Sequence, residues 1–216
     1  MRLITSLLLL LILLSIEVFA SSTIDCHCFR DRSYNPQNPT AADPYFLATT
    51  QNSFLSLVYG LDKKEIVRAK MSGSHGDRLW IQYELAVHSE KSPEKVQEFF
   101  QQFNDWRKVI KALMLDPEML GPGFIQASVN ESRLADYIVD QNLIQRIRVT
   151  QQLVSAGRRV GMSSKELILG LLLTDDPVKL FDKIKAGQLS WGKKLFDAGL
   201  FDSNAINRQL SRRLNS

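Results

Sequence analysis

Cys26-His27-Cys28 is the one cluster of intrinsically reactive side chains in this 216-residue chain, and it contains both cysteines. Three chemistries are open to it. In an oxidising compartment the thiols form a disulfide, with each other or with another chain. Closing a ring between cysteines one residue apart is strained, and strain makes a disulfide easier to reduce. The same pair therefore suits thiol–disulfide exchange, with a protonated His27 supporting the thiolate. Two thiolates and an imidazole also suit Cu(I) or Zn(II), with a fourth ligand drawn from His75, His88 or a carboxylate. Attachment of c-type haem is excluded, because it needs two cysteines separated by two residues and then a histidine.

The other candidates are weaker. Glu84 and His88 are four residues apart and share a helix face, a spacing that serves a metal or a local charge pair. His75 lies in Gly73-Ser74-His75-Gly76 before a helix start, without the glycine spacing of a phosphate loop. No arrangement supports a nucleophilic enzyme: there is no Gly-x-Ser-x-Gly elbow, Ser163-Ser164-Lys165 is explained by helix capping, and Asp176 of the Asp175-Asp176 pair precedes Pro177 as a cap. Asn130-Glu131-Ser132 fits a glycosylation sequon and, equally, a helix cap. Arg158-Arg159 and Arg212-Arg213 read as solvated faces, the second pair favouring the negative end of the last helix.

The address narrows the options. Residues 1–20 read as a secretory signal peptide: Arg2 gives a positive start, Leu7 to Leu14 is unbroken apolar sequence, and Val18-Phe19-Ala20 suits a signal peptidase, so cleavage is expected after Ala20. The protein is then periplasmic or secreted, with no stable membrane span left after cleavage. Thr23-Ile24-Asp25 before Cys26 does not match a lipoprotein cleavage box. Arg2 and Glu17 cancel, so the rest of the chain keeps the formal charge of +4. Export and the scattered basic residues argue against nucleic acid as a partner.

The elements that must position these groups are helical. Residues 21–42 form a polar, extended arm that holds the cysteines. Asp43-Pro44 opens the first helix and Gly60 closes it; Asp62, Asp77, Ser92, Asp176 and Ser190 read as further caps. Leu79, Trp80, Ile81, Tyr83, Leu85 and Val87 leave little polar surface, which predicts a helix buried all round. Ser128 with Glu131, and Ser163 with Glu166, read as capping boxes. The first starts the longest helix, running to about Ala156, with Gly157 and Gly161 breaking it. A last amphipathic helix spans 203–214. No alternating strand pattern occurs.

A weak repeat links Val96, Phe99, Trp106, Ile110, Leu113 and Leu115 with Phe181, Ile184, Trp191, Leu195, Ala198 and Leu200: a short helix, a turn, then a helix starting with tryptophan. The tryptophans read as core wedges. A helix–turn–helix raises DNA recognition, but each second helix starts with only two cations.

The expected fold is an all-α bundle of eight to ten short helices, with halves 43–120 and 121–216 meeting at Gly121-Pro122-Gly123. The arm from Cys26 through Asp43-Pro44-Tyr45-Phe46, and Ser190-Trp191-Gly192-Lys193, resemble features of uncharacterised exported helical proteins of bacteria. That resemblance implies an exported address and a helical fold, and carries no activity. The expected role is non-enzymatic binding or scaffolding with a protein partner. The alternative is thiol-redox or soft-metal handling at Cys26, His27 and Cys28, including an intermolecular disulfide.

Overall fold

The computed structural model describes residues 29–215. The expected signal peptide and Cys26-His27-Cys28 lie outside the described residues. Within them the chain is all-α, with twelve α-helices, one 3-10 turn and an isolated Asn35–Asn38 bridge. The helices are α1 (Asp43–Tyr59), α2 (Lys63–Met71), α3 (Gly76–Ser89), α4 (Pro93–Phe103), α5 (Trp106–Ala112), α6 (Phe124–Ala127), α7 (Glu131–Arg146), α8 (Gln151–Arg159), α9 (Ser164–Leu173), α10 (Pro177–Lys185), α11 (Trp191–Asp197) and α12 (Ser203–Leu214).

Two of these exceed the expected eight to ten. A single turn, α6, follows Gly121-Pro122-Gly123. The long helix expected to reach Ala156 stops at Arg146, Arg148 turns into the left-handed region at φ 60°, and Thr150 caps a separate α8 by accepting from Leu153 N at 3.3 Å. Gly157 does not break that helix. It lies inside α8, where an added Cβ would come within 2.8 Å of Leu167 Cδ1, so its missing side chain allows α8 and α9 to close on each other. Gly161, at φ 88°, is the real stop.

Most caps fall where the residues predict, because capping is decided within four residues. Asp62, Ser92, Asp176 and Ser190 each accept from a backbone amide of the first turn, and Ser163 with Glu166 forms a reciprocal box. Two expectations are corrected. Ser128 and Glu131 form no box: Asn130 Oδ1 caps α7 by accepting from Arg133 N at 3.0 Å, while Glu131 reaches across to Arg78 and Trp106. Asp77 is not the cap of α3, which begins one residue earlier with His75 at the cap position; the Asp77 carboxylate accepts the Ser132 hydroxyl at 2.8 Å.

α3 is not buried all round, since its Val87 is 59% exposed; α1 and α9 are more fully enclosed. α1 is packed by α2, α9, α11 and α12; α3 packs on α4 and α7; α7 also meets α6, α8 and α9. One continuous core therefore crosses the Gly121–Gly123 boundary, from Phe46, Phe54 and Trp80 to Leu134, Ile138 and Leu167. Trp80, Trp106 and Trp191 are all buried wedges in it. α1 carries a polar run, Thr49-Thr50-Gln51-Asn52-Ser53, into this core. Lys63 and Lys70 reach in to meet Thr49, Ser53 and Gln51, while Thr50 Oγ1 and the Asn52 amide find no hydrogen-bond partner among the described residues.

Candidate functional site

The structure brings Glu84 and His88 together on α3, and Tyr59 joins them at the Glu84 carboxylate. Tyr59 OH donates to Glu84 Oε2 at 2.5 Å, and His88 Nε2 lies 3.3 Å from Oε1. The hydrogen bond to Glu84 raises the His88 pKa against partial burial, and burial pushes the Tyr59 phenol well above its ordinary value, so Tyr59 stays a donor. A cavity of about 180 Å³ opens beside them, lined by Tyr137, Gln141 and Gln145. Both carboxylate oxygens already accept hydrogen bonds, and no group of three or more His, Cys, Asp or Glu able to hold a metal exists among the described residues. His75 is exposed at the opposite end of the same helix, where it occupies the cap position without a side-chain bond.

Two further polar clusters tie helices together. Glu131 on α7 accepts from Arg78 on α3 at 3.3 Å and from the Trp106 indole N–H at 3.1 Å, with Arg78 lying over the Phe100 ring at 4.6 Å and Phe100 stacked on Trp106. Arg158 corrects the expectation of a solvated cation. Its side chain is 20% exposed and fans out to Asp140 at 2.7 Å, Asp136 at 3.1 Å, Ser164 Oγ at 2.8 Å and the Met162 carbonyl at 3.1 Å, joining α7, α8 and α9. Desolvation raises the Asp140 pKa and the Arg158 guanidinium opposes it. Arg159, by contrast, is exposed.

The open site is built where the arm crosses α1 and α11. Asp43, the first residue of α1, turns its carboxylate onto the start of α11 and accepts from Trp191 N at 3.1 Å and Gly192 N at 2.7 Å. Burial raises the Asp43 pKa and the two amides oppose that shift. Gly192 lets the elements meet: a Cβ there would sit 3.3 Å from Asp43 Oδ1 and 3.4 Å from both Phe46 and Tyr34. Beside this junction lies an apolar groove of about 190 Å³, floored by Phe46 and walled by Tyr34, Phe196 and Phe201. The Phe196 ring is 5.3 Å from Tyr34 and 5.3 Å from Phe201.

Phe196 and Phe201 remain 49% and 57% exposed, the most solvent-accessible phenylalanines of the described chain. Sequence reasoning missed them, together with Tyr34. The available signal was an apolar surplus: α11 already commits Trp191 and Leu195 to the core, which leaves Phe196 without a packing role. No protein-family model, curated protein or solved structure matches the chain.

Proposed function

We propose that the chain is an exported, non-enzymatic binding protein that takes one large apolar side chain of a partner protein into the groove between Tyr34, Phe46, Phe196 and Phe201. The observation that carries this is the pairing of a preformed apolar cavity with two exposed phenylalanines on its wall. Solvent-facing aromatic rings around a cavity are unfavourable in isolation, and are the usual make-up of a protein-binding hot spot. At about 190 Å³ the cavity is below the roughly 300–1,000 Å³ of small-molecule pockets and suits a single anchoring side chain. The Lys193–Asp197 ion pair on α11 supplies a polar neighbour to the apolar centre, as protein interfaces have.

The exported address rests on the signal-peptide character of residues 1–20 and on the resemblance of the arm and of Ser190–Lys193 to exported helical proteins. No helix among the described residues is long and apolar enough to cross a membrane.

The test is selection of displayed peptides on the purified protein. The expected winners share one aromatic or leucyl anchor and lose binding to Phe196→Glu, while Met114→Glu, at another exposed apolar position, leaves binding intact. Peptides indifferent to Phe196→Glu, or no enrichment at all, overturn the reading.

A second reading keeps thiol-redox or soft-metal chemistry at Cys26, His27 and Cys28. It is favoured by the position of Phe29, the residue after Cys28, whose ring meets Tyr45 at 6.0 Å beside the groove-floor residue Phe46. Thiol counting with and without reductant, with metal analysis of gently purified protein, decides it: two unreactive, metal-free thiols or one irreducible bond end that reading.

A further inference from the structure

A second site stands apart from the groove, at the start of α2. Lys63 Nζ donates to Ser53 Oγ at 2.7 Å, Ser203 Oγ at 2.7 Å and Thr49 Oγ1 at 3.2 Å. All three partners are hydroxyls. Among the described residues no carboxylate lies within ion-pair distance of this half-buried ammonium, and burial lowers its pKa to about 8. Next to it are Lys64 and Arg68, both exposed, and neither is matched with an acidic side chain among the described residues. Together with Val67 and Asn204 they line a cleft of about 560 Å³. The one carboxylate at its rim, Asp62, already accepts from Lys64 N at 2.8 Å as the cap of α2.

Ser203 at 2.7 Å from a lysine amine suggests a Ser–Lys catalytic pair, but its surroundings argue against one. The Asn204 and Ala205 amides, the natural donors to a developing oxyanion, both point at Asp202 Oδ1 at 2.8 Å. A carboxylate therefore occupies the place where an anion would have to form. What Lys63 lacks is a direct ion-pair partner among the described residues. Three cations line one open cleft with Asn204, and the innermost is held by hydroxyls, with no carboxylate in ion-pair contact among the described residues.

We propose that the cleft lined by Lys63, Lys64, Arg68 and Asn204 binds a small molecule carrying a multiply charged oxyanion, which supplies the negative charge that Lys63 lacks. The volume lies within the range of small-molecule sites and exceeds what a bare inorganic ion fills. Arg68 offers a forked donor, Lys64 a point charge and Asn204 a side-chain amide, the set that recognises phosphate or clustered carboxylates. The hydroxyls of Ser53 and Thr49 hold Lys63 in place beneath the cleft.

Calorimetric titration of the purified protein with inorganic pyrophosphate, and separately with citrate, at ionic strength matched with sodium chloride, tests the proposal. Saturable one-site binding of pyrophosphate alone assigns a phosphate-bearing ligand, and of citrate alone a polycarboxylate. Arg68→Ala and Lys64→Ala, both at exposed positions that leave the core untouched, are each expected to weaken that binding about tenfold. On the unmutated protein, the bound anion should slow modification of Lys63 by an amine-reactive reagent, read by peptide mass spectrometry. That readout does not depend on the folding of a Lys63 variant. Binding of neither probe above the chloride control, or binding that ignores both substitutions and leaves Lys63 unprotected, overturns it.

Discussion

Replacing Asp43 tests whether the arm, α1 and α11 are held as one unit. Asp43 is 9% exposed, and its carboxylate accepts from two backbone amides at the start of α11, those of Trp191 and Gly192. Asp43→Ala removes the acceptor of both N–H groups. A hydrogen bond to a charged group contributes roughly 1.5–3 kcal/mol, so losing two is expected to cost about 3–5 kcal/mol, a large share of the 5–15 kcal/mol typical of a domain. Asp43→Asn keeps one acceptor oxygen but turns its NH₂ toward the second amide, and about 1–3 kcal/mol is expected to be lost. Urea unfolding followed by tryptophan fluorescence measures both, with Trp191 itself reporting on the junction. The pH dependence has a definite sign. Burial raises the folded-state pKa of Asp43 above its ordinary 3.8, so the folded protein holds that proton more tightly than the unfolded chain does. The stability advantage of wild type over Asp43→Asn is therefore greatest below about pH 4 and declines as pH rises through the raised pKa. An Asp43→Ala protein within about 0.5 kcal/mol of wild type would refute the reasoning, since no buried donor would then have been stranded.

Three other outcomes follow from the buried polar groups. Arg158→Ala strands Asp140, whose side chain is 19% exposed, and should cost about 3 kcal/mol at pH 7 in chemical denaturation, with a smaller penalty in acid, because burial raises the Asp140 pKa and a protonated carboxyl is no longer a stranded charge. Lys63 has a folded pKa of about 8 against an ordinary 10.5, so between those values the unfolded chain binds more protons and stability rises with pH. Lys63→Met should flatten that rise, by about 1–2 kcal/mol after allowance for solvent screening, in unfolding curves with Asp62, Lys64 and Arg68 left in place. Asn52→Leu, at a fully buried position whose amide has no partner, is expected to raise the thermal midpoint by several degrees in calorimetry; a fall would show that the amide is satisfied in solution.

What could be read from the residues was whatever they settle locally. Asp62, Ser92, Ser163 and Ser190 cap their helices because a side-chain oxygen and an amide two or three residues on are enough. Glu131 shows the limit. It stands at the right offset from Ser128 for a capping box, yet Arg78 and Trp106 come from other helices and win its carboxylate. The break between α7 and α8 was hidden because it uses Arg148, not glycine, at positive φ. Arg158 looked like a surface cation until Asp136 and Asp140 met it from α7. The groove joins Tyr34 to Phe196, and its support joins Asp43 to Gly192, each across most of the chain, so no local period could announce either. The glutamate–histidine pair was legible because four residues on one helix make contact unaided.

The placing of α1 has a consequence for how the chain reaches its native state. α1, the first helix of the described residues, is wrapped by α9, α11 and α12, which are among the last of them to be made. Its polar middle has to wait for Lys63, and Lys63 for Ser203, before the hydroxyl cluster closes. Such late, sequence-distant pairings slow folding and leave an incomplete chain unable to finish its interior. The proposed export would make use of that delay, since a narrow translocation channel admits only an open chain.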